Sequence, residues 1–106
     1  MNDLVKSLNK LNVLRRQACQ SDLDEIQKAA IFSAAYILIQ SLTQEFEERK
    51  IRGFGYLSEK LSFVLWNFKL MLDFEDGNGH STQAHNVWAL GHLQVVTRNV
   101  SKLALL

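Results

Sequence analysis

No proline occurs anywhere in these 106 residues, and apolar positions recur every three or four places through four long stretches. Together these features constrain the fold more than any others. Sheet folds need many turns, and turns recruit proline and glycine. Here the chain has five glycines, four of them in two tight pairs, Gly53 with Gly55 and Gly77 with Gly79. A chain of this length supplies one domain, spanning residues 1–106, and not two. The reading is all-α: an up-down four-helix bundle with helices over about 3–19, 22–50, 56–74 and 82–105.

Each stretch carries its own pattern. At about 100° per residue, Leu4, Leu8, Leu11, Leu14 and Ala18 share one arc of the first helix, and Arg15 intrudes on it. A charge in an apolar arc needs an acid, a helix C-terminus or an anion, so Arg15 is expected to form an internal ion pair. Ser21, with Asp24 three residues later, reads as a variant capping box opening the second helix. That helix is apolar on nearly every side from Ala29 to Ile39, with Leu23, Ile26, Ala30, Ala34 and Ile37 on one arc. Ile31, Ala35, Leu38, Leu42 and Phe46 lie opposite. It is expected to be the central helix. Ser81 or Thr82 is expected to cap the last helix, whose apolar surface carries Ala89, Leu93, Val96 and Val100.

The third helix has two stripes. Leu57, Leu61, Val64, Phe68 and Met71 follow steps of four and three and suffice for a core. A second stripe, Phe63, Trp66, Leu70 and Phe74, is left over, and four large apolar residues on the far side imply a partner. The expected partner is a second copy of the chain, making a homodimer, or another protein. On the last helix His85, His92 and Asn99 recur every seven residues. Buried polar residues at that spacing set register and partner orientation in helical assemblies, so these three are expected to form a polar seam.

Charge and cysteine content narrow the classes further. The net charge is +1, with no dense basic cluster of the kind that binds nucleic acid. It is unevenly spread: +3 over residues 1–20, −4 over 21–76 and +2 thereafter. The most apolar uncharged stretch, residues 29–44, is interrupted by Ser33, Tyr36, Gln40, Ser41 and Thr43. A spanning helix needs roughly 20 mostly apolar residues, so no membrane partner is expected. A single cysteine, Cys19, cannot close an internal disulfide, which suits a reducing compartment. With no leader-like N-terminus, the expected location is cytoplasmic.

Four constellations invite chemistry. The segment Phe74-Glu75-Asp76-Gly77-Asn78-Gly79 resembles the loop core of the Fic family, HPFx(D/E)GNGRxxR. That resemblance implies phosphate binding at a helix N-terminus and, with its histidine as base, AMP transfer. Leu72 stands at the histidine position, Asp73 at the proline, and His80 and Gln83 at the two arginines, so the catalytic and phosphate-binding groups are absent. As a calcium loop the same segment places Phe74 and His85 where carboxylates are required. Asp73, Glu75, Asp76 and His80 are retained as a weak ligand or divalent-metal candidate. Glu45 and Glu48 with Asp73 and Asp76 imitate the paired acids of all-α nucleotide pyrophosphatases. The pairs lie about 20 Å apart along a helical hairpin, beyond the reach of a shared ion. His85 and His92 are about 10 Å apart on one helix, too far to hold one zinc ion between them. No catalytic residue, cofactor or metal is therefore assigned.

Three functions are compatible with these features. The leading expectation is a small non-enzymatic homodimeric interaction or accessory module. The first alternative is a small-ligand-binding bundle, with Trp88, Phe68, Arg15 and the histidines lining a pocket. The second is a divergent nucleotide- or divalent-metal-binding protein using the loop from Asp73 to His80.

Overall fold

The computed structural model describes residues 2–20, 22–72 and 79–104, with side chains described for 3–20, 22–72 and 83–102. Among the described residues the chain is all-α, in four helices: α1 (Asn2–Ala18), α2 (Glu25–Glu48), α3 (Phe54–Leu72) and α4 (Gly79–Ala104). No strand occurs among the described residues, and none of the helices is long and apolar enough to cross a membrane.

Local chemistry sets the helix ends. Asp24, rather than Ser21, is the N-cap of α2. Its carboxylate accepts from the Gln27 backbone N–H at 2.7 Å, and Gln27 Oε1 accepts from the Asp24 N–H at 2.9 Å. This reciprocal pair satisfies two orphan donors at once and starts the helix at Glu25, three residues later than the sequence reading placed it. The other end stops before any glycine. Lys50 takes φ 52°, and its N–H and that of Ile51 donate to the Glu47 and Phe46 carbonyls, a Schellman stop with Ile51 buried behind it. Gly53, at φ 77°, then turns the chain, and its carbonyl accepts the first α3 bond from Leu57. Gly55 lies inside α3 and does not break it. Ser81 and Thr82 lie within α4, so neither caps it.

One core stripe per helix holds the molecule together. Leu4, Leu8, Leu11, Arg15 and Ala18 are buried on α1; Ile31, Ala35, Ile39, Leu42 and Phe46 on α2. Leu57, Leu61, Val64, Phe68 and Met71 follow on α3, and Ala89, Leu93, Val96 and Val100 on α4. Every interval is three or four residues, the spacing that keeps one face inward. α3 packs on α2 and α4 and also touches α1, whereas α2 and α4 do not meet among the described residues. The central helix is therefore α3 and not α2. Because α2 has neighbours on one side, its second apolar arc is left in solvent: Ile26 and Ile37 are 82% and 65% exposed.

Candidate functional site

The α3–α4 seam joins the predicted interface stripe to the predicted polar residues. Asn67, buried on α3, donates Nδ2–H to the Phe63 carbonyl at 2.8 Å, which turns its Oδ1 toward His85 Nδ1 at 2.9 Å. An amide oxygen can only accept, so His85 donates from Nδ1, and in its neutral form Nε2 is left as an acceptor. The His85 ring meets Trp88 edge-on with centroids 5.1 Å apart, and His92 lies 5.1 Å from the Phe63 ring. The histidines thus brace aromatic side chains from behind.

In front, Phe63 (41%), Trp66 (57%) and Trp88 (55%) remain exposed. Lys69 lies over the Trp66 ring and Lys60 over Tyr56. Leu70 is half-buried, and Phe74 lies outside the described residues. Asn99 stands apart: it is exposed and donates to the Val95 carbonyl of its own helix.

Burial, reinforced by the positive charge of Lys60, holds His92 below its ordinary value of 6.5. A histidine depressed in the folded state is protonated first in the unfolded chain, so acid favours unfolding. His92 therefore contributes a loss of stability as pH falls through 6.5 toward its lowered folded value. Thermal midpoints measured from about pH 7.5 to about pH 5.5 should fall, and His92→Gln should reduce that fall. An unchanged pH profile in the variant would contradict this assignment.

A second apolar surface, one the sequence reading missed, lies between α1 and α2. Lys10, Val13 and Leu14 face Ala34, Ile37 and Leu38 across an open groove of about 540 Å³. The signal was present in the arc of Ile26, Ala30, Ala34 and Ile37. Which side of α2 the other helices would cover could not be read from it. A third, more polar cleft of about 350 Å³ lies between α1 and α4, lined by Asn9, Asn12, Gln94, Thr97 and Arg98 among others.

Arg15 is buried, as a charge within the apolar arc should be, but it makes no ion pair among the described residues. Nε donates to Asn12 Oδ1 at 3.0 Å within α1, and Nη1 donates to Asn86 Oδ1, which ties α1 to α4. Cys19, half-buried, donates to the Arg15 carbonyl, and its Sγ lies 4.0 Å from Met71 Sδ. Burial pushes its thiol pKa up, against a smaller opposite pull from Arg15, which leaves a poor nucleophile.

The pocket envisaged for a small ligand does not assemble: Phe68 is fully enclosed in the core while Trp88 faces solvent. Glu45 pairs with Arg49 at 2.8 Å, Arg49 also reaches Asp3, and Glu48 accepts from Gln44. Asp73, Glu75 and Asp76 lie outside the described residues, as does the side chain of His80. Among the described residues no three His, Cys, Asp or Glu side chains gather as a metal site would require. No protein family model, curated protein or solved structure matches the chain.

Proposed function

We propose that this chain is a non-enzymatic interaction module: a cytoplasmic up-down four-helix bundle, homodimeric, that presents the α3–α4 face to a partner protein. The observation that carries this reading is three large aromatics, Phe63, Trp66 and Trp88, standing 41–57% exposed on adjacent helices. Behind them runs the Asn67–His85 hydrogen bond and the His92 stack. Rigid aromatic anchors lose little conformational freedom on binding and dominate interface energetics. The up-down order is supported by three contact sets. Asp3 meets Arg49 while residues 10–14 meet 34–38; Phe63 meets His92 while Asn67 meets His85; Arg15 meets Asn86 while Asn9 and Asn12 line a cleft with Arg98.

Lys60 and Lys69 flank the aromatic face, so a partner with an apolar, acidic surface suits it electrostatically. The test is affinity capture with the wild-type chain beside Trp66→Glu and Trp88→Glu, all checked for helicity. The expected result is a partner held by the wild type and released by both variants. Equal retention by all three chains would overturn the reading.

A second reading, a small-ligand-binding bundle, draws on the apolar α1–α2 groove. The third, a nucleotide- or divalent-ion site at Asp73, Glu75, Asp76 and His80, draws on the loop sequence alone. A thermal-shift screen separates them: stabilisation by hydrophobic compounds favours the groove, and stabilisation by nucleotides or divalent ions favours the loop.

A further inference from the structure

The outer side of α2 carries one stripe, Ile26, Ala30, Ser33, Ile37 and Ser41, about 22 Å long at 1.5 Å per residue. No charged residue occurs anywhere in residues 29–44. The two ends of the stripe are unlike. Ile26, 82% exposed, is a knob, with the exposed acids Asp22, Asp24 and Glu25 at its side. Ile37 borders a hollow, the groove it forms with Ala34 and Leu38 of α2 and Val13 and Leu14 of α1. The wall of that hollow is basic: Lys10 lines it, and Lys6 is exposed one turn away on the same side of α1. Asp3 meets Arg49 and Lys10 meets Ile37, so Lys6 stands near the level of Ser41.

We infer that α2 is the self-association surface: two copies pack α2 against α2 in opposite directions, and each Ile26 seats in the other copy's hollow. In that register Ile26 faces Ile37, Ala30 faces Ser33 and Asp22 faces Ser41. The acids beside each knob then stand level with Lys6 and Lys10 of the other copy. The small side chains of Ala30 and Ser33 fall where the helices cross, where small residues allow close approach. A two-fold contact must be self-complementary, and this stripe carries knob and hollow, acid and base, on one chain. A small apolar molecule or a foreign helix would fill the hollow and leave Ile26 in water. The contact is separate from the partner face proposed above, and either assignment can fail alone.

Size-exclusion chromatography with light scattering on the full chain, in the micromolar range, tests it. The wild type should show twice the 12.1 kDa chain mass. Ile26→Lys should weaken the dimer roughly a hundredfold with unchanged helicity, since that side chain is already in solvent. Lys10→Glu and Glu25→Lys should each weaken it roughly tenfold, and the two combined in one chain should restore it. Trp66→Glu should leave it intact. A wild-type chain at 12.1 kDa overturns the inference, as does an Ile26→Lys chain as dimeric as wild type. A double reversal no tighter than its single variants also overturns it. Dissociation by Trp66→Glu but not Ile26→Lys would return the self-contact to α3.

Discussion

Phe68→Ala should lower the stability of the chain by about 3–5 kcal/mol, the usual cost of emptying a buried aromatic position. Phe68 has no exposed surface and sits in the C-terminal half of α3, a helix that touches all three others. The side chains around it come from rigid helices, so the void cannot collapse fully and its lining loses dispersion contacts as well as hydrophobic transfer energy. For a domain of this size, total stability is about 5–15 kcal/mol, so the variant forfeits about a fifth of it or more. At roughly 4–8 °C per kcal/mol, calorimetry should record a fall in midpoint of about 12–40 °C. Phe68→Leu, which leaves most of the volume filled, should fall by much less. The comparison also tests the ligand-pocket reading. A Phe68 lining a solvent-filled pocket would be truncated cheaply, and a loss below about 1 kcal/mol would contradict its place in the core.

Much of this core was legible in the sequence, for a physical reason. On α1 and α4 one apolar stripe is bordered by charged or polar residues, and on α3 the five-residue stripe from Leu57 to Met71 outweighs the second, so periodicity identifies the inward face. Leu4, Leu8 and Leu11, the α3 run from Leu57 to Met71 and the α4 run from Ala89 to Val100 are all buried as the spacing predicts. The same argument fails on α2, where both arcs are apolar. A helical wheel cannot say which arc other helices will cover, and Ile39, not Leu38, takes the fully buried place. The capping error has a similar origin. Ser21 and Asp24 are both good N-caps, and what decides between them is the return bond from Gln27. The end of α2 at Glu48 lies within two residues of the expected 50, although the left-handed lysine that stops it has no sequence signature of its own. Nothing within α3 marks Asn67 for burial; His85, 18 positions away, supplies the donor its amide oxygen requires. The α1–α2 groove belongs to neither helix alone, and no pattern within one segment could disclose it.

The largest effect among the polar residues should come from the Arg15 contacts, through Asn86 and not through the charge itself. A buried guanidinium is costly to desolvate, and its partners among the described residues are amide oxygens from Asn12 and Asn86, with no carboxylate. Removing one of them strands part of a buried cation, so Asn86→Ala should cost about 1–3 kcal/mol. Arg15→Met keeps much of the aliphatic stem that fills the arc between Leu11 and Ala18 and discards the charge. Replacing buried ionic groups by apolar ones of similar volume is often neutral or stabilising, so Arg15→Met should lie within about 1 kcal/mol of wild type or above it. In the Arg15→Met background, Asn86→Ala should then cost little, because the group it served is gone. Denaturant titration of the four chains gives the coupling directly. An Arg15→Met loss above about 2 kcal/mol would mean that the guanidinium meets a counter-charge stronger than two amides, restoring the ion pair that the apolar arc of α1 led one to expect. A small loss, with strong coupling to Asn86, makes Arg15 a pin between α1 and α4, holding in register the helix that presents His85, Trp88 and His92.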